Sequence, residues 1–322
     1  MNKELLIFRV ISVLSKAGFI ISARCDIRPR SFDIAARQDE LLLLIKVLYN
    51  VDGLNEETAN EMLYLSKHLN GHPVIIGEKT RDHSLESGVV YFRYGVPAID
   101  IDTMHDYFIE GTPPLIYAAH GGLYVNIDGK TLKDERNRKN TSLGALAALL
   151  GVSRRTISKY EEGEMAASVD VAIKLEEIMD RGFATSVDLF ENVRINEAVK
   201  HESSVNESAD ILSKLEEIGF DVLPTWHAPF DAVSLSSGRK NENTKILTGV
   251  GEFTNNMVKK AHLMSSISEV MLTQSLLIVN GVSKAQNIEK TILVEKKELK
   301  KFNDTDDFIN LLEERRSKIK VS

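Results

Sequence analysis

The chain repeats itself at a spacing of about 200 residues, and this constrains its fold more than any other feature. Near the start, SVLSKAGFIIS (12–22) precedes RSFDIAARQDELLLLIKV (30–47). Near the end, ILSKLEEIGFDVLP (211–224) precedes PFDAVSLSSGRKNENTKILTGV (229–250). Each series reads as an amphipathic helix closed by Gly-Phe, a short strand, a Phe-Asp pair opening a second strand, and a third apolar strand. A polar helix follows in both (56–70 and 255–272) and leads to an apolar strand, HPVIIGEK or SLLIVNGV. Both halves then carry a further strand and a similar closing piece, HDYF (105–108) and DDFI (306–309). Helices alternating with strands of this length make an α/β architecture, present twice.

Composition sets the broad class. At 322 residues the chain exceeds one ordinary domain, and 43% hydrophobic with 27% charged residues is the balance of a soluble globular protein. The longest apolar run, LLLLIKVL (41–48), is interrupted by Lys46 and has strand length, far from the roughly 18–20 residues that cross a bilayer. MNKELLIFRVISVLS carries Glu4 and Arg9 within its apolar pattern and reads as a helix, not a signal peptide. One cysteine, Cys25, excludes an intramolecular disulfide framework and fits a reducing cytoplasm; it is expected half-buried on a strand.

Between the copies lies an all-helical segment, about 130–193, followed by INEAVKHESSVNES (195–208), a polar stretch with the composition of a linker. Within the helical segment, LGALAALLGVSRRTISKYEEGE (143–164) has a specific grammar. Ser142 caps a helix whose Leu143, Leu146, Ala147 and Leu150 share one face. Gly151 supplies the tight turn, and Ser153 caps a second helix anchored by Ile157. This is the pattern of a helix-turn-helix, with small Ala147 letting the helices cross closely.

The outer face of the second helix carries Arg154, Arg155, Thr156, Ser158 and Lys159. These types suit DNA: Arg binds guanine bidentately, Ser and Thr bond to bases or phosphates, and Lys neutralises phosphate. The charge is local. Gly129 to Gly163 holds eight Lys or Arg against four Asp or Glu, a net of +4 in a chain of −7, which leaves −11 elsewhere.

The run TLKDERNRKNTSLGALAALLGVSRRTISKYEEGEMAASVDVAIKLEEIMD (131–180) resembles the lambda-repressor/Cro-type helix-turn-helix family, the portion IS-K-YE-G being its specific part. The resemblance implies DNA contacts from Ser153 to Lys159 and a role for Glu161 in fixing the turn after the recognition helix. Leu143-Gly144 stand where this family often has a phosphate-binding Gln, so Thr141 and Ser142 become the candidate phosphate anchors. The layout also resembles archaeal helix-turn-helix regulators in which this domain sits between α/β regions.

The flanking copies resemble the restriction-endonuclease-like fold, which needs an Asp on one strand and an acid-x-Lys on the next to hold Mg²⁺ and orient water. Asp33 and Lys46 stand where expected in the first copy, but Leu44 occupies the acid position. The second copy keeps Asp231, yet its next strand, KILTGV, has neither acid nor Lys. The expectation is the fold without the cleavage chemistry: no catalytic residue, no metal and no cofactor, with Glu40 and Glu252 the acids that could migrate into the role. Other signals are weak. The eight histidines lack metal-ligand spacing, GVGEF (249–253) lacks a phosphate-loop frame, and GTPPLIYAAHGGLYVNIDG (111–129) reads as a turn-rich connection with a hairpin. His120 reads as a turn residue and Trp226 as half-buried.

The expected fold is therefore α/β plus all-α, two related endonuclease-like α/β domains (1–128 and 209–322) flanking a helix-turn-helix domain (129–194) and a linker (195–208). The expected function is a cytoplasmic, sequence-specific regulator that binds double-stranded DNA as a homodimer. The α/β copies would supply a dimer contact, a protein-partner surface or a small-molecule effector pocket. Two alternatives stay open, a Mg-dependent nuclease or junction-processing enzyme, and an antitoxin- or adaptor-like module.

Overall fold

The structure is a computed structural model that describes residues 3–28, 30–190, 208–236, 244–283 and 285–319. The expected linker lies outside these residues apart from Ser208. Helix α1 (Lys3–Lys16) leads through β1 (Ile20–Ile21), β2 (Ile34–Gln38) and β3 (Leu41–Asn50) to α2 (Glu56–Leu69) and β4 (His72–Lys79). The hairpin of β5 (Val89–Arg93) and β6 (Val96–Ile99) is followed by α3 (Ile101–Phe108) and a second hairpin, β7 (Ile116–Ala119) and β8 (Gly122–Ile127). Then come α4 (Gly129–Arg138), α5 (Leu143–Leu150), α6 (Arg154–Glu161), β9 (Ala167–Ser168), α7 (Val169–Met179) and β10 (Ala184–Thr185). The chain continues with α8 (Ser208–Ile218), β11 (Phe220–Pro224), β12 (Ala232–Ser236), β13 (Thr244–Gly251) and α9 (Asn255–Met271). It closes with β14 (Gln274–Val279), β15 (Asn287–Ile288), β16 (Thr291–Glu295), α10 (Lys296–Leu299) and α11 (Thr305–Ile319).

The fold divides into two compact units, one of Met1–Val13, Leu48–Gly53 and Val74–Asn192, the other of Leu14–Val47, Leu54–Pro73 and Val193–Ser322. This division cuts across the chain order expected from the sequence, because part of the first copy shares a core with the second. In that second unit, Ala35, Leu42 and Leu44 of β2 and β3, with Leu65 and Leu69 of α2, pack into one cluster with Met257, Ala261, Met264 and Ile267 of α9. Arg37 fixes the contact by donating from Nε to the carbonyl of Val270 at 2.7 Å. The other face of the second copy's sheet is covered by Ile211 and Leu215 of α8 and by Phe308 and Leu312 of α11. Strand β14 serves both faces, Leu276 and Ile278 in one core and Leu277 in the other, the period-two alternation of a buried strand.

The two α/β segments pair their strands in a similar pattern. The second copy's sheet runs β11-β12-β13-β14-β16-β15. Its first two pairings are antiparallel, the next two parallel and the last antiparallel. In the first copy, β1 with β2 and β2 with β3 are antiparallel, β4 with β6 parallel and β5 with β6 antiparallel. Single hydrogen bonds recur too. Asp33 N–H donates to Ile45 O at 2.7 Å and its Oδ2 accepts from Val47 N–H at 2.8 Å. Asp231 N–H donates to Thr248 O at 2.8 Å and its Oδ2 accepts from Val250 N–H at 2.7 Å. One expected landmark does not correspond. HDYF lies in α3, the helix directly after β6, whereas DDFI lies in α11, one helix beyond α10, the helix directly after β16.

Cys25 also differs from expectation. It is fully buried in the connection after β1, not half-buried on a strand, and burial pushes its thiol up to about 11.

Candidate nucleic-acid interface

The helical part of the first unit is built from local signals. Ser142 Oγ accepts from Ala145 N–H at 3.1 Å and caps α5. Gly151 closes that helix with φ +73°, a conformation glycine adopts without a Cβ penalty. Ser153 Oγ accepts from Thr156 N–H at 3.0 Å and caps α6. Leu146, Ala147, Leu150 and Ile157 are all buried in one cluster, with Leu143 packed against it. That cluster also takes Leu132 of α4, Leu175 and Met179 of α7, and Val125 and Ile127 of β8. Strand β8 therefore belongs to the core of the helical domain, pairing with β9 and β10.

The helix-turn-helix presents Ser153, Arg154 and Arg155 exposed at the start of α6, with Thr156, Ser158 and Lys159 half-buried beside them. The hydroxyls are already engaged. Thr156 Oγ1 lies 2.9 Å from Ser153 Oγ, and Ser158 Oγ donates to Glu162 Oε1 at 2.7 Å. The two arginines are thus the freest DNA-suited groups on this face in geometry, while Thr156 and Ser158 must exchange an internal bond to make an external one. Thr141, half-buried, and Ser142, exposed, flank the start of α5 as expected.

Sequence reasoning missed the frame behind this face. Arg136 of α4 is buried and bound to Glu161 at the end of α6, and it also donates from Nη1 to Thr141 O at 3.0 Å. The hydrogen-bonded Glu161 carboxylate raises the Arg136 pKa above its ordinary value, so the cation is charged and engaged by Glu161. Arg136 is one of the eight cations between Gly129 and Gly163. Since it is paired with Glu161, one cation and one anion leave the surface together, and the local excess of +4 stands. Lys139 likewise turns away from the outer face, donating to Met179 O at 2.6 Å at the end of α7.

The nuclease-like residues of the second unit lie in a different setting. Asp33 has no solvent exposure, and besides accepting from Val47 N–H it pairs through Oδ1 with Arg30 Nε at 3.1 Å. Lys46 Nζ donates to Arg30 O at 2.7 Å, and Leu44 at the acid position is fully buried in the apolar core. Glu40 is exposed in the turn joining β2 to β3. Register pairs Ile34 with Ile45 and Gln38 with Leu41, so Glu40 sits at the far end of the ladder from Asp33. In the second copy Asp231 pairs with Lys260 of α9 at 2.5 Å. Among the described residues no group of three or more His, Cys, Asp or Glu is arranged to hold a metal ion.

Family comparison agrees with these two settings. Residues 3–114 match the model of the PD-(D/E)XK superfamily domain, and residues 132–184 match a helix-turn-helix model. A protein of Methanococcoides burtonii, named "Putative HTH-type transcriptional regulatory protein", is 53% identical over 321 residues, 98% of each chain. A similarly named protein of Methanosarcina barkeri is 50% identical over 326 residues, again 98% of each. One of Natronomonas pharaonis is 47% identical over 320 residues, 98% of this chain and 99% of its own. The chain belongs to this family of archaeal HTH-type regulatory proteins. No solved structure matches it.

As a member of the HTH-type family, the chain carries its nuclease-like match over α1 to α3, including Asp33 and Lys46. Its helix-turn-helix match runs from α4 to β10 and takes in Ser153 to Lys159. No described helix is long and apolar enough to cross a membrane.

Proposed function

We propose that this protein is a cytoplasmic, sequence-specific DNA-binding transcription regulator that reads double-stranded DNA with the start of α6. The observation that carries the reading is the exposed pair Arg154 and Arg155 on a helix N-terminus held by an apolar core and by the Arg136–Glu161 pair. In helix-turn-helix proteins this part of the second helix enters the major groove. Ser153, Thr156, Ser158 and Lys159 complete the contact face, with Thr141 and Ser142 at the start of α5 meeting phosphate. One such helix spans only a few base pairs, so the protein acts as a homodimer on two half-sites about 34 Å apart.

In this reading modules 1–128 and 209–322 are duplicated endonuclease-like copies around the helical module 129–194, which takes β8 as a supporting strand. The copies carry no cleavage chemistry, a view supported by buried Leu44 and by the bonds that engage Asp33 and Asp231. They serve dimer contact, partner docking or effector sensing instead. The test is a mobility-shift assay on fragments recovered by genome-wide footprinting. Arg154→Ala with Arg155→Ala should weaken specific binding by about a hundredfold or more, since each bidentate base contact is worth about 1–3 kcal/mol. An unchanged affinity in a folded double variant would remove α6 as the reading helix.

A further inference from the structure

At the end of the second copy's sheet where β13, β14 and β16 begin, and where α9 ends, lies a cleft of about 610 Å³. This is the volume of pockets that hold small organic ligands. It is at the opposite end of β13 from Asp231, whose partners are Thr248 and Val250. Lys245, Lys290 and Arg316 line it, against one acid, Glu269. Lys290 pairs with Glu269 at 2.6 Å, so the charges of Lys245 and Arg316 are in excess. Lys245 donates to His68 O at 2.7 Å and keeps further N–H groups, and burial lowers its pKa, so its charge is incompletely solvated.

Three consecutive residues at the cleft also depart from the inexpensive solution used in the first copy. Helix α2 ends on Asn70 at φ +54°, a residue that tolerates the left-handed conformation, followed by Gly71 and His72. At the matching end of α9, Leu272 adopts φ +54°, which is costly for a leucine, and its side chain is 76% exposed. Thr273 and Gln274 follow, and both line the cleft. Thr273 Oγ1 and Gln274 Oε1 are shielded from solvent and have no hydrogen-bond partner among the described residues. A buried polar atom left without a partner costs about 1–3 kcal/mol, a local cost in the wall of this charged cleft.

We infer that this cleft binds a small phosphorylated metabolite. A phosphate monoester has a charge of about −1.5 to −2 at neutral pH, which matches the two cations in excess. Leu272, exposed at the rim, covers an apolar part of the ligand. The site stands independently of DNA reading.

The experiment uses the full chain with Arg154→Ala and Arg155→Ala, so that no anion effect comes from α6. Thermal unfolding is followed with millimolar AMP, ribose 5-phosphate, adenosine and inorganic sulfate. AMP or ribose 5-phosphate should raise the midpoint, while adenosine and sulfate at equal concentration should not. Arg316→Glu, at an exposed position lining the cleft, should abolish the rise. No rise with either phosphorylated probe, an equal rise with sulfate, or a rise that survives Arg316→Glu overturns the proposal.

Discussion

Arg136 of α4 grips Glu161 of α6 at two points, Nε to Oε1 at 2.5 Å and Nη2 to Oε2 at 3.0 Å, with both side chains largely out of solvent. Through its third nitrogen Arg136 also reaches the carbonyl of Thr141, just before the cap of α5. One side chain therefore sets the positions of three helices, including the one that carries Arg154 and Arg155. Glu161→Ala leaves a buried guanidinium without its carboxylate and should destabilise the protein by about 3 kcal/mol in chemical denaturation. Replacing both partners by apolar residues, Arg136→Met with Glu161→Leu, should cost much less, because no charge is stranded. Equal losses for the single and double variants would mean that the pair is not the source of the effect.

A second constraint on the same frame is steric. A Cβ on Gly129, at the start of α4, would strike the carbonyl oxygens of Tyr160 and Glu161, the latter at 2.5 Å. Backbone cannot retreat as a flexible side chain can. Gly129→Ala should lower stability by about 1–3 kcal/mol through overpacking. Gly144 is the control, since a Cβ there meets nothing closer than Ser142 Oγ at 3.9 Å. Gly144→Ala should be neutral or stabilising by about 0.5 kcal/mol, because it removes freedom from the unfolded chain. Paired urea titrations of the two variants separate the outcomes.

These two positions show what a sequence can and cannot disclose here. The caps at Ser142 and Ser153 and the turn at Gly151 were legible because each acts within four residues of itself. The burial of Arg136 was not, because its partner is 25 residues away and a basic residue in a basic segment looks like surface. Likewise β8 reads as half of a hairpin, and only its pairing with β9 and β10 assigns it to the helical core. The likeness of the two α/β segments was legible through the recurring Gly-Phe and Phe-Asp pairs. The shared core was not, since bonds such as Arg37 to Val270 O join residues 233 apart with no local signature. Asp33 was recognisable by type, but its use as a backbone acceptor depends on which atoms surround it.

That use gives a direct test of the nuclease-like module. Asp33 accepts from Val47 N–H and neutralises Arg30, so Asp33→Ala strands a buried N–H and a guanidinium. It should cost about 2–3 kcal/mol of stability. The wild-type protein, incubated with plasmid and Mg²⁺, should leave the plasmid intact. Cleavage by the wild type that disappears in a folded Asp33→Ala variant would instead make this carboxylate catalytic.

Glu61 of α2 contributes a pH dependence of known sign. It is 3% exposed, and its Oε1 accepts from Trp226 N–H at 3.0 Å and His227 N–H at 3.4 Å. Burial pushes its carboxyl from 4.5 up to about 7, the two N–H groups only partly offsetting it. Below pH 4.5 the group is protonated both folded and unfolded. Between pH 4.5 and 7 the unfolded chain releases the proton while the folded one retains it, so stability falls as pH rises, and above 7 the loss is complete. At about 1.4 kcal/mol per pKa unit, the rise from 4.5 to about 7 makes this loss about 3–4 kcal/mol. Glu61→Gln keeps an oxygen for the two N–H groups and has no charge to bury. The variant should match the wild type near pH 4 and exceed it at pH 8, read as the difference between two urea titration series. Parallel curves across that range would show that Glu61 does not titrate with folding.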